Sequence, residues 1–158
     1  MSPPRYLRRA VMGARTSSPP EQAAFGALTS FAATIGISRT LNYVRERRRR
    51  FPRLRSLTRR ASSGPHQSRV RVHHFLPGIA IAFATGATGI LNHRRGFWLG
   101  LPFGSGVALT LDELPLLLGG DNPYWGHERL ALTQGTAAAS AAAGLTTRFY
   151  RHGARRCP

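Results

Sequence analysis

The residues best suited to chemistry are two adjacent carboxylates, Asp112 and Glu113, which lie inside the apolar stretch LTLDELPLLL. Neighbouring carboxylates can bind divalent metals or act as general acid and base. The whole chain has 6 acidic residues, so this one stretch holds a third of them. At the centre of a membrane each carboxylate costs about 2.5–3.5 kcal/mol, and we therefore expect a partner or a function for both.

Other polar residues with useful chemistry flank the apolar stretches. His73 and His74 precede one stretch, and Asp121 follows the stretch that holds the acid pair. If consecutive stretches form antiparallel helices, these residues meet at one end of the assembly. Imidazole and carboxylate groups placed together there could bind a divalent metal, transfer protons or activate water.

This cluster has two interpretations. As a chemical site, it uses Asp112, Glu113, His73 and His74 as catalytic residues, and the same four residues with Asp121 as ligands of a divalent metal. As a structural site, it consists of salt bridges and hydrogen bonds that hold helices together. Adjacent histidines point about 100° apart on a helix, so at most one of the two easily faces Asp112.

Three apolar stretches predict the fold. They cover residues 75–91, 97–118 and 130–147, and the acid pair is the only charge within them. Each stretch just reaches the length needed to cross a hydrocarbon core about 30 Å thick. The sequence therefore predicts an all-α, small helical transmembrane bundle with three spans, and a soluble helix bundle is the alternative. A mildly apolar segment over residues 23–44 predicts a fourth helix, either a marginal span or an interfacial helix.

Small residues recur within these stretches at steps of about one helical turn. Examples are Gly100 with Gly104, and Gly135 with Ala139 and Ala143. In lipid, residues of this size let helix backbones approach closely and pack by dispersion. We therefore expect close helix contacts at these positions.

The remainder of the chain is basic and divides into arms and linkers. Residues 1–22 contain four prolines and four arginines and predict a disordered basic arm. Residues 45–71 predict a flexible arginine-rich linker that cannot build a packed core. Residues 72–150 then form the three-helix core, and residues 151–158 form a basic tail.

About half of the positive charge lies in one segment of the chain. All 23 basic residues are arginine, and the formal net charge is +17. Twelve arginines lie between Arg39 and Arg71, and each contributes roughly 1 kcal/mol near an anionic lipid surface. This segment therefore predicts a linker on the cytoplasmic side that contacts anionic lipid headgroups. Together with the three predicted spans, it indicates a multi-pass protein of the cell membrane. The single cysteine, Cys157, excludes an internal disulfide.

At the histidines and the acid pair, the sequence resembles a family of small actinobacterial integral membrane proteins. The segments VHHFLPGIAIA, ALTLDELPLLL and DNPYW are similar to that family's His-x-His-His-x-x-x-Gly, Leu-x-x-Asp-Glu and Asp-Val-Tyr-Trp motifs. The resemblance covers about residues 24–128 and implies a membrane protein, but no particular reaction. It departs at Arg71, where the first histidine would stand, and at Asn122-Pro123, where valine would stand. The positions that it marks are His73, His74, Gly78, Asp112, Glu113, Asp121, Tyr124 and Trp125.

Three classes of function follow. The first is a membrane component in which the polar cluster is structural or scaffolding. The alternative is a membrane-embedded metal-dependent or acid/base enzyme, such as a hydrolase acting on an interfacial lipid or phosphate ester. A nucleic-acid-binding protein is the third, and no specific nucleic acid is expected because the arginines lack interleaved aromatic side chains. No nucleophile motif, glycine-rich phosphate loop or zinc-finger spacing is present.

Overall fold

The computed structural model describes residues 4–50, 75–91, 96–117 and 124–156 of the chain. These residues form five helices and no strand, so the all-α prediction is confirmed for them. The helices are α1 (Arg5–Arg15), α2 (Pro19–Arg50), α3 (Phe75–Leu91), α4 (Gly96–Leu117) and α5 (Tyr124–Arg156).

Helices occupy more of the basic parts of the chain than the sequence predicted. α1 lies within residues 1–22, which we expected to be disordered. α2 covers all of the mildly apolar segment 23–44 and continues to Arg50. α5 continues to Arg156, through most of the predicted tail. The rest of the predicted linker, residues 51–71, lies outside the described residues.

α1 is helical because one of its sides packs against α5. Gly13 is buried there, and a Cβ at this position would overlap the backbone carbonyl of Phe149. A Cβ at Gly153 of α5 would in turn overlap the backbone carbonyl of Arg9. An isolated helix of 11 residues is marginal in water, so this contact supplies stability that the local sequence lacks.

The start of α2 is fixed by hydrogen bonds to Glu21. Its carboxylate accepts from the Ser18 N–H at 3.2 Å and from the Ser18 hydroxyl at 3.0 Å, as the glutamate of a capping box does. Pro19 at the first helical position suits the turn because its missing N–H would have no partner there. The two bonds from Ser18 lower the pKa of Glu21, and Arg148 of α5, 2.8 Å away, lowers it further.

The predicted membrane spans are not confirmed. Within residues 4–50, 75–91, 96–117 and 124–156, none of the helices combines the length and the apolar character needed to cross a membrane. α3 has only 17 residues, or about 25 Å at 1.5 Å per residue, against a hydrocarbon core of about 30 Å. α4 has 22 residues but includes two carboxylates, and α5 is dominated by small residues of weak hydrophobicity.

α2 and α4 lie side by side with their backbones almost in contact. The contact face of α4 consists of Gly96, Gly100 and Gly104, and a Cβ at any of these positions would overlap a carbonyl oxygen of α2. The three overlapped carbonyls belong, in the same order, to Pro19, Ala23 and Ala27. Because the residue numbers of the contacting positions increase in the same direction along α2 and α4, the two helices run parallel. The predicted close contacts at Gly100 and Gly104 are confirmed.

α3 packs against a different face of α4 and runs antiparallel to it. A Cβ at Gly78 would lie 2.9 Å from the Gly106 oxygen, and a Cβ at Gly106 would lie 2.7 Å from the Gly78 oxygen. Further along α3, Gly86 faces the ring of Phe103, which lies nearer the start of α4. Glycine therefore mediates this contact as well.

α5 packs along α2 and then against α1 with a regular buried stripe. A Cβ at Gly135 would lie 3.1 Å from the Ile35 side chain. The predicted contacts at Ala139 and Ala143 are wrong, since both residues are exposed. The buried stripe follows alternating steps of seven and four residues through Ala131, Ala138, Ala142, Phe149 and Gly153.

The distribution of large and small apolar side chains is the reverse of that in a protein folded in water. Small residues make up much of the helix contacts, and four of the six buried hydrophobic residues in the described part of the chain are alanines. Large apolar side chains point outward, most clearly on α3, where the exposed fractions are 72% for Leu76, 77% for Phe83, 76% for Ile90 and 85% for Leu91. Contiguous apolar surface of this kind usually marks contact with a partner or a membrane.

Candidate functional site

Asp112 is held by two consecutive residues of α2. The Ser38 hydroxyl donates a hydrogen bond of 2.6 Å to Oδ2 of Asp112. The Arg39 guanidinium forms a charge-assisted hydrogen bond to Oδ1. The Arg39 and Asp112 side chains are each 14% exposed. Both oxygens of this carboxylate therefore have a partner on the neighbouring helix.

Glu113 links α4 to α3. Its Oε2 accepts a hydrogen bond of 2.8 Å from the backbone N–H of Phe75, the first residue of α3. The first N–H groups of a helix have no intrahelical partner, and a carboxylate there also meets the positive end of the helix dipole. The predicted proximity between the start of this helix and the acid pair is confirmed.

These contacts form a polar clamp, which we define as Ser38, Arg39, Phe75, Asp112 and Glu113. The two adjacent carboxylates bind two different helices, so the clamp joins α2, α3 and α4 at a single point. One contact supports it further along the α2–α4 interface, where the Thr34 and Ser105 hydroxyls lie 3.3 Å apart.

The charges of Arg39 and Asp112 compensate each other in a poorly solvated position. Removing one partner of a largely buried ion pair leaves an uncompensated charge, which typically costs about 3–5 kcal/mol. The Arg39 Nε is also buried, with no hydrogen-bond partner among the described residues. The orientation of this guanidinium therefore depends on its contact with Asp112.

The other predicted site residues lie largely beyond the described part of the chain. His73, His74 and Asp121 are outside it, so their contacts with the acid pair stay predictions. Tyr124 begins α5, with Trp125 next to it in the helix. Among the residues that the structure describes, no group of three or more His, Cys, Asp or Glu side chains could hold a metal ion. The divalent-metal site stays a prediction.

Ser38 and Arg39 were not predicted as partners of Asp112. The contacts join residues 74 and 73 positions apart, and a single sequence contains no direct signal for such pairing. One indirect signal existed, because Arg39 is the only charged residue between Glu21 and Arg45. We assigned Arg39 to the segment that contacts lipid headgroups, and its pairing with Asp112 corrects that assignment.

Two apolar clefts lie elsewhere in the helix assembly. The larger, of ≈ 460 Å³, lies between α2, α4 and α5 and includes Phe31, Val107 and the polar side chain of Gln134. The smaller, of ≈ 280 Å³, lies between α2, α3 and α4. Neither is lined by Asp112 or Glu113, so a molecule bound in either cleft would not lie against the acid pair.

Comparison of the chain with protein-family models, curated proteins and solved structures gave no match. The resemblance to small actinobacterial membrane proteins therefore stays a prediction from the quoted motifs.

Proposed function

We propose that this protein is a non-catalytic component of the cell membrane, a scaffold of glycine-packed helices whose outward apolar side chains contact lipid. The observation that carries this proposal is the inverted packing, with small residues between the helices and large apolar residues facing outward. A protein folded in water gains most of its stability from the opposite arrangement.

The free-energy cost of exposing apolar side chains to water is clearest at α3. If its four most exposed apolar side chains stayed in water, each would lack the stabilising free energy of about 1.5–3 kcal/mol that burial provides. The sum, about 6–12 kcal/mol, is comparable with the entire folding stability of a typical domain, about 5–15 kcal/mol. Contact with lipid chains removes this penalty without any change in the helix contacts.

The helix contacts also suit a lipid environment. Lipid tails are as apolar as leucine, so helices in a membrane associate through close backbone packing and hydrogen bonds between helices. The glycine faces of α4 provide the close packing. The polar clamp and the pair formed by Thr34 and Ser105 provide the hydrogen bonds.

The polar clamp supports a structural role over a catalytic one. Both oxygens of Asp112 are bound by α2, and Glu113 binds the start of α3. The enzyme alternative assigns the same carboxylates to a metal or a proton transfer, with His73 or His74 as ligand or base. It has no supporting contact among the described residues.

The arginine-rich segment completes the proposal. Arg39 is occupied within the clamp, so contact with anionic headgroups falls to the later arginines up to Arg71. We place this segment on the cytoplasmic side, where anionic lipid attracts it.

Cell fractionation tests the membrane proposal. After a high-salt wash and then an alkaline carbonate wash, the protein should stay in the membrane pellet, because lipid contacts of apolar side chains do not depend on salt. It should leave the pellet only with detergent. A peripheral membrane protein of the same cells, released by carbonate, serves as the control. Release of this protein by salt alone would contradict the proposal and favour a peripheral or nucleic-acid-bound location.

A further inference from the structure

The end of the helix assembly farthest from the polar clamp carries a second concentration of positive charge. We call it the basic collar and define it as Arg5, Arg8, Arg9 and Arg15 of α1 with Arg151 and Arg155 of α5. All of these side chains are exposed except Arg9, which is partly buried. Neither α1 nor residues 148–156 contain an acidic residue, and the nearby Glu21 is paired with Arg148.

Helix geometry separates the collar from the clamp. In α5, Gly135 contacts Ile35, four residues before Arg39 of the clamp, whereas Gly153 contacts α1. Their separation of 18 positions corresponds to about 27 Å of helix. The collar is therefore distinct from the arginine-rich segment that continues from α2 at the clamp end.

Large apolar side chains are interleaved with the arginines of the collar. On the outward side of α1, Leu7, Val11 and Met12 are exposed beside Arg8 and Arg15. Helices that lie against lipid headgroups combine arginine with aliphatic side chains in this way. The aliphatic parts enter the boundary of the acyl chains while the guanidinium groups reach the phosphates.

We propose that the basic collar binds the anionic headgroups of membrane phospholipids. The inference rests on the proposed membrane location and adds a specific second contact to it. Charge complementarity favours a phosphate-rich partner, and the exposed aliphatic side chains favour lipid over nucleic acid, whose backbone offers them no apolar contact. Each arginine near such a surface provides about a fivefold gain in binding.

Hydrogen–deuterium exchange in lipid nanodiscs tests the collar directly. The full chain is reconstituted into discs of phosphatidylcholine, with or without phosphatidylglycerol, and exchange is measured over residues 5–15. We expect exchange in α1 to be at least about fivefold slower in the anionic discs. The variant Arg8→Gln with Arg15→Gln should lose this difference, and Arg8→Lys with Arg15→Lys should keep most of it.

A matched control neutralises two exposed arginines outside the collar, Arg47→Gln with Arg129→Gln, and should keep the protection of α1. Equal exchange in both kinds of disc would overturn the collar proposal. Protection of α1 by added duplex DNA, and not by anionic lipid, would overturn it in favour of nucleic acid. Failure of the protein to co-elute with either disc would instead contradict the proposed membrane location.

Discussion

Leucine at both Gly100 and Gly104 should force α2 and α4 apart and lower the free energy of unfolding by about 3 kcal/mol. A Cβ alone at either position would overlap a backbone carbonyl of α2, at Ala23 and Ala27 respectively. A carbonyl fixed in a helix cannot rotate away as a side chain can, so the whole helix must move. Denaturant titration of the detergent-purified protein measures the loss.

The control for this substitution places leucine at Gly36 and Gly144. Nothing lies within 4 Å of a Cβ built at either position, and leucine favours a helix over glycine by up to about 1 kcal/mol per site. This variant should be as stable as the wild type or more stable. Equal losses in the two double variants would show that the glycine faces do not determine how these helices pack.

Asp112→Asn should lower the free energy of unfolding by about 3 kcal/mol, because Arg39 is then left without its counter-charge in a poorly solvated site. We place the effect at the lower end of the usual range since both side chains keep some exposure. Arg39→Gln should have a similar effect. The double variant should be more stable than the sum of the two losses predicts, with a coupling energy of about 1–3 kcal/mol.

Arg129→Gln, which removes an exposed arginine, is the control and should change stability by less than about 0.5 kcal/mol. The same proteins also test the catalytic interpretation. An Asp112→Asn variant that kept full stability but lost a bound divalent metal would contradict the structural role of the clamp. It would favour the metal site predicted with His73 and His74.

The sequence predicted α3, α4 and α5 well because each contains a long stretch with little or no charge. It failed on α1, since prolines and arginines at the N-terminus suggested disorder while the stabilising contact, between Gly13 and Phe149, involves a distant part of the chain. The spacing of the glycines predicted close helix packing, but it did not predict which helices pack against each other. On α5 it indicated Ala139 and Ala143, whereas the buried stripe lies one residue earlier, because the orientation of a helix is set by the surfaces around it.

Only part of the candidate site could be predicted from the sequence, for similar reasons. An acid pair in an apolar stretch indicated that both carboxylates need partners, and antiparallel helices correctly placed Glu113 beside the start of α3. The partner of Asp112 was not predictable from spacing, because it lies on α2, a separate helix that the glycine contacts place parallel to α4. The arginine that pairs with it appeared to belong to a basic linker.

Fluorescence quenching at Phe83 determines whether the outward side chains of α3 lie in lipid. The probe is Phe83→Trp in a chain with Trp98→Phe and Trp125→Phe, reconstituted into bilayers whose acyl chains carry bromine. Bromine should quench the tryptophan strongly and aqueous iodide should not, whereas Arg47→Trp in the same background should respond to iodide. Quenching of the Phe83→Trp probe by iodide, with no response to bromine, would show that this side chain faces water and would contradict the proposed lipid contact of α3.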